Sequence, residues 1–389
     1  MTRRTIRTLA ALATASLALT ACADNPDTEN AAATAPAVKD PLAITHEGGI
    51  AVLDGETLKV AHTVALGGFN RVNPAGDDRT VVVSTEEGFR MLDAGAGKMT
   101  DVSYLGAKPG HVVLHGDRTI LFTDGTGEVN SFNPADLAKG KPAGRQYKTA
   151  QPHHGVAVEL KDGTMIVTLG TEEDRPGAIA LDRDGKEIAR SEQCPGVHGE
   201  AVAQGEVVGL GCKDGVLLFK NGAFVKVKGD RAYSAVGTQA GTDASPVLLG
   251  DYKIDPDAER EFPSNFSLID TAANTLKVVP MPQGVSYSFR SLGRGPKGEG
   301  LILGTDGKLH VVDPQAGKLV NSWPVVGAWQ EPVDWQQPRP ALFVRGDDAY
   351  ITEPATKKVH RLDLSSGQVV GSATLDATPN EISGTLAAH

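Results

Sequence analysis

The 389-residue chain is 40% hydrophobic and carries a formal net charge of −10, from 38 basic and 48 acidic residues. That acidic balance is a poor match for nucleic acid. No apolar run reaches the ~20 residues that a membrane-spanning helix needs.

The chain opens with an export address. Arg3, Arg4 and Arg7 form a basic n-region, an Ala/Leu-rich stretch follows, and the stretch ends in Leu-Thr-Ala-Cys at residues 19–22. This pattern predicts a signal peptide over residues 1–21. The tetrapeptide resembles a bacterial lipobox, so cleavage before Cys22 and lipidation of its thiol are expected. Removing residues 1–21 takes three arginines and no acids, which leaves 35 basic and 48 acidic residues and a net charge of −13. Residues 22–41 are rich in Ala, Pro, Asp, Asn and Thr, with almost no large apolar side chains. Such a segment cannot bury enough surface to fold and reads as a disordered tether. The expected location is the outer face of the cytoplasmic membrane, in the cell envelope, held by a lipid anchor.

Residues 42–389 show short alternating apolar runs separated by Gly, Asp, Asn and Pro, which is an all-β pattern. The runs recur about every forty residues, as in RTVVVSTEEGFRMLDAGAGKM (79–99), RTILFTDGTGEVNSFNPADL (118–137) and GEGLILGTDGKLHVVDPQAGKLV (298–320). Four strands per such unit is the signature of a β-propeller blade. Eight units can be counted, although the insertion DYKIDPDAEREFPSN in the 231–281 unit leaves seven open. Residues 42–66 lack a first strand, while PNEISGTLA (379–387) is a strand without partners. The C-terminal strand is therefore expected to complete the first blade, which closes the ring and removes exposed sheet edges.

The first strand of each propeller blade lines the central channel, so the residues at strand starts converge on the axis. Blade three begins PGHVVL, blade four PHHGVAV and blade five GVHGEAV. His111, His154 and His198 thus hold equivalent places in three consecutive blades, and the chain has only ten histidines. Three converging imidazoles suit Zn²⁺, which takes nitrogen ligands at ~2.0–2.1 Å in tetrahedral geometry. Cu²⁺ and Ni²⁺ also accept imidazole. The candidates for a fourth ligand are Glu381, His153, Asp124 and water. The alternative is that these histidines bond to backbone and fill the channel mouth.

Cys194 precedes His198, and Cys212 ends the antiparallel strand that follows it. In an exported protein a disulfide is their default state. The rival is a two-thiolate zinc site. Trp323, Trp329 and Trp335 read as blade-edge packing or as a sugar platform. His46, His62, His115, His310 and His360 read as surface residues. The acidic loops TEEDR and DPDAERE read as solvated, or as loose sites for a second metal. The sequence contains no Gly-rich phosphate loop, no G-x-S-x-G elbow and no H-E-x-x-H motif.

The segments GHVVLHGD, PHHGVAVELKDG and CPGVHGEA, with the cysteine pair, make the propeller region resemble the AztD family of zinc metallochaperones. The resemblance implies a zinc site in the central hole and transfer of zinc to the solute-binding protein of a zinc ABC importer. It carries His111, His154 and His198 over as ligands, with His153 as a neighbour. The chain departs from the family in having no histidine in residues 22–41, where many members carry a His-rich segment. A monomeric, non-catalytic zinc carrier is the expectation. The alternatives are a metal-dependent lactonase or lyase, and a metal-free envelope scaffold.

Overall fold

The computed structural model describes residues 38–386. The expected leader, the lipidated Cys22 and most of the tether lie outside the described residues. From Pro41 onward the chain forms eight antiparallel sheets in chain order, each with four strands running from the channel outward. The eight-bladed count therefore holds, and the insertion that blurred it (253–264) lies between the second and third strands of blade six. One boundary differs from expectation. Residues Ser234–Ala235 do not open blade six but add a short fifth strand to blade five, with Ser234 parallel to Asp214.

Burial explains the sequence pattern. In blade two the second strand, Thr80–Thr85, is buried along its whole length, whereas the outermost strand, Lys98–Leu105, is largely exposed. Middle strands are covered on both faces by neighbouring blades and so read as continuous apolar runs. The apolar clusters accordingly lie between blades and follow one another round the ring. One joins Val52 and Val64 of blade one to Val81 and Val83 of blade two; another joins Phe266 of blade six to Tyr287 and Ile302 of blade seven. The recurring glycine at the start of the third strand has a backbone reason. Gly88 and Gly215 have φ values of 137° and 126°, and a Cβ on either would meet the facing carbonyl, of Tyr104 or Val227, at 2.4 or 2.2 Å.

The ring closes as the unpaired ends predict. Ile382–Gly384 supplies the innermost strand of blade one, with Ile44 opposite Ile382 and Leu42 opposite Gly384. Backbone bonds from Asn380 N–H to the Thr45 carbonyl and from Thr385 N–H to the Pro41 carbonyl extend the pairing at both ends.

Candidate metal centre

His111 lies in the innermost strand of blade three, Pro109–His115, and His198 opens that of blade five, His198–Ala203. His154 stands three residues ahead of Ala157–Glu159 in blade four. Strand register slips between Pro109 and Val112, and again between His198 and Glu200. Such bulges re-aim a side chain, and both coincide with a triad histidine. Gly199 permits the second: its φ is 66°, and a Cβ there would lie 2.3 Å from the Gly237 carbonyl.

The three rings meet. Their centroids are 5.2 Å apart for His111 and His154, 5.6 Å for His111 and His198, and 4.8 Å for His154 and His198. One ligand nitrogen from each lies within 4.8 Å of the other two. A tetrahedral zinc ion with ordinary Zn–N bonds holds nitrogens ~3.4 Å apart, a spacing that modest side-chain rotation reaches from here.

Each ring also has an outer partner at Nδ1. His198 Nδ1 donates to the Gly237 carbonyl at 2.7 Å, and His154 Nδ1 faces Asp124 Oδ2 at 2.5 Å. His111 Nδ1 lies 3.3 Å from Glu200 Oε2. The nitrogen that His154 and His198 have left to offer is therefore Nε2, and Glu200 beside Nδ1 of His111 favours the same choice there. Engagement of the far nitrogen by a carboxylate or carbonyl sets the tautomer and ring orientation of metal-binding histidines. Burial, reinforced by the neighbouring imidazoles of His111 and His154, holds His198 well below the ordinary histidine pKa, so it is neutral and ready to donate a lone pair. Donor set, tautomers and spacing all fit a zinc ion.

Asp124 needs a slot to reach His154. Its Oδ1 accepts from the Gly155 N–H at 3.3 Å, and a Cβ on Gly110 would lie 2.1 Å from the same oxygen. Asp124 thus serves the ring of His154. Glu200, Gly237 and Arg175 are site residues that sequence reasoning missed. Glu200 lies two residues after His198 but beyond the bulge at Gly199, so strand alternation alone does not place it beside the triad. Arg175 Nη1 reaches the His154 carbonyl at 3.5 Å from a loop whose path the sequence does not reveal.

The structure does not bring His153 or Glu381 to the triad. His153 is 1% exposed and turns into blade four, where Nδ1 donates to the Gln151 carbonyl and Nε2 accepts from the Thr168 hydroxyl. Burial holds its pKa below the usual histidine value. Glu381 is clamped by Arg71 and Arg290, both at 2.9 Å.

Three histidines expected at the surface are instead buried. His115 bonds Glu206 at 2.7 Å. His310 and His360 repeat one device in blades seven and eight: Nδ1 to a serine on the facing strand, Ser322 or Ser372, and Nε2 to an acid, Asp306 or Glu353. Cys194 and Cys212 form a disulfide with Cα atoms 4.9 Å apart; both are buried, and Cys194 lies in the loop that leads to His198. Their pairing removes the two-thiolate alternative. Trp323, half-buried on the outermost strand of blade seven, lies against Gly367 of blade eight; Trp329, in the segment between those blades, donates Nε1–H to the Gly304 carbonyl; Trp335 meets Phe69 edge-on at the channel mouth.

The triad opens on a cavity of about 750 Å³, whose lining includes Phe69, Arg71, Phe289 and Trp335. No protein-family model matches the chain. Over 307 residues it is 25% identical to the curated Zinc chaperone AztD of Citrobacter koseri, covering 75% of this chain and 69% of that protein. The structure of apo AztD from Citrobacter koseri matches with a TM-score of 0.76 at 22% identity, over 90% of this chain and 98% of that one. A second Citrobacter koseri AztD structure gives 0.73 at 21% identity with the same coverage. Dihydro-heme d1 dehydrogenase NirN gives 0.57 at 12% identity, over 90% of this chain and 78% of that one. The chain is thus similar to AztD in sequence over three quarters of its length and in fold over nine tenths.

Proposed function

We propose that the protein is a zinc metallochaperone that holds Zn²⁺ on Nε2 of His111, His154 and His198 at the channel mouth. It acts in the cell envelope, anchored through Cys22, and passes its cargo to the solute-binding protein of a zinc ABC importer. The observation that carries this reading is the convergence of the three rings, with Nδ1 of His154 and His198 hydrogen-bonded from outside and Glu200 beside that of His111. The printed name of the curated relative, a zinc chaperone, supports the same cargo.

Three imidazoles leave one position of a tetrahedral ion facing the cavity. An acceptor's ligand can enter there before the histidines let go, so zinc leaves by exchange rather than by naked dissociation. The strands bearing the triad need little reordering to bind, and the bonds from Asp124 and the Gly237 carbonyl hold His154 and His198 in place for the cargo. The test is a competition titration of the purified protein against a chromophoric zinc chelator, with stoichiometry checked by elemental analysis. One zinc per chain is expected, and its loss in His111→Ala and His198→Ala. Zinc held as tightly by both variants as by the parent would sink the reading.

A further inference from the structure

The cavity is far larger than one metal ion requires and falls within the ~300–1,000 Å³ typical of small-molecule sites. Its two sides differ. Blades three to five contribute the histidines, whereas the opposite wall, from blade two and the segment entering blade eight, presents Phe69, Arg71, Ser84 and Trp335. On that wall hydrogen-bond donors lack acceptors. Arg71 gives Nε to Glu381, but among the described residues nothing takes its two Nη groups. Ser84 is 5% exposed and lines the same cavity; its hydroxyl is buried without a partner and reaches a ligand there by rotating about χ1. Arg71 and Ser84 are directly paired across the first and second strands of blade two. Directly opposed residues of an antiparallel pair project on the same face with Cβ atoms ~4.5–5.5 Å apart. A guanidinium fork and a hydroxyl so placed match the two oxygens of a carboxylate. The edge-on pair of Phe69 and Trp335, at 5.1 Å, supplies an apolar wall beside them.

We propose that Arg71 and Ser84 form a carboxylate-binding subsite in this cavity, so that the protein takes a small organic carboxylate together with its metal. The metal half of this statement rests on the zinc reading above; the subsite does not. Charge couples the two. The lining carries the carboxylates of Glu86, Asp124 and Glu200 against the cations Arg71 and Lys108, a net −1 that a divalent ion turns into +1. An anion therefore enters more readily once zinc is in place.

The test is calorimetric titration of benzoate into zinc-loaded and zinc-free protein, with benzamide as the uncharged control. Benzoate is expected to bind the zinc-loaded parent at least tenfold more tightly than benzamide and at least fivefold more tightly than it binds the zinc-free form. Arg71→Gln should weaken benzoate at least tenfold and Ser84→Ala at least threefold, with zinc affinity unchanged in both. Because Ser84→Ala leaves the Arg71–Glu381 pair intact, it decides the matter even if Arg71→Gln perturbs the fold. No benzoate binding by the parent, or equal binding by parent and both variants, overturns the subsite. Failure of the zinc reading shows separately, in zinc titrations of the same samples without benzoate, and the zinc-free arm then still decides the subsite.

Discussion

His154 Nδ1 lies 2.5 Å from Asp124 Oδ2, and the two residues belong to different blades. Asp124 sits in the turn between the second and third strands of blade three, Arg118–Thr123 and Glu128–Phe132, while His154 leads into blade four. The channel mouth is therefore tied across a blade boundary by a bond that also points His154 Nε2 inward.

Asp124→Asn tests that tie. An amide in the same slot can present N–H instead of an acceptor to Nδ1 and so disfavour the tautomer that leaves Nε2 free. Loss of such outer partners lowers metal affinity by ~10–100-fold. The expected result is weaker zinc binding by that factor in chelator competition, with an unchanged thermal midpoint. Affinity equal to the parent's would show that Asp124 does not set the ring.

Replacing any triad histidine with alanine should abolish tight zinc binding without unfolding the propeller, because these side chains face the channel. His310→Ala should behave in the opposite way. His310 is 1% exposed and joins Asp306 to Ser322. Leaving those partners unsatisfied costs about 1–3 kcal/mol. Urea unfolding should register that loss while zinc stoichiometry stays at one per chain.

These two histidine classes mark the limit of what the sequence makes legible. Period-two patterning and the forty-residue repeat reveal blades, and blades place His111, His154 and His198 on one axis. Repeat register also exposes the unpaired C-terminal strand. It does not say which way a turn residue faces. His153 and His154 are adjacent, yet only His154 turns into the channel, because Thr168 and the Gln151 carbonyl hold its neighbour inside the blade. Glu381 is a candidate fourth ligand by sequence, but Arg71 and Arg290, more than three hundred and more than ninety residues away respectively, meet its carboxylate. Partners so distant in sequence leave no local pattern.

The disulfide is the third test. Cys194 and Cys212 are 18 residues apart. Closing a loop of that size contributes about 3 kcal/mol in the chain-entropy model. Cys194→Ser with Cys212→Ser should lose stability of that order in denaturant unfolding. Zinc affinity should also fall, since the bridge steadies the loop before His198. Thiol titration of the denatured, unreduced parent should detect neither cysteine, and two reactive thiols would contradict the pairing.

The proposed anchor is Cys22, which follows Leu-Thr-Ala at residues 19–21. Cys22→Ser should release the protein from the membrane fraction, or leave its leader uncut, with the propeller still folded. Intact mass of the parent should show a diacylated N-terminal cysteine. An unmodified Cys22 in the mature chain would count against the anchor.

Glu381 offers the sharpest choice between two roles, metal ligand or latch. It occupies the C-terminal segment that closes blade one, and its backbone N–H donates to Thr45 Oγ1 at 3.0 Å. Its carboxylate accepts from Arg71 Nε, whose side chain is 43% exposed, and forms an ion pair with Arg290, whose side chain is 5% exposed. Burial pushes the Arg290 guanidinium down to about 10, against the pull of Glu381, so this cation depends on its partner. Removing one member of a buried ion pair costs about 3–5 kcal/mol, because the other is left uncompensated. Glu381→Gln should therefore lower the unfolding free energy by an amount in that range, with most of the loss arising at Arg290 rather than at the more exposed Arg71. Zinc affinity should stay within twofold of the parent, since the triad gains nothing from a carboxylate already held by two arginines. A tenfold loss of zinc affinity with an unchanged midpoint would make Glu381 the fourth ligand after all, and would require Arg71 and Arg290 to give it up when the metal arrives.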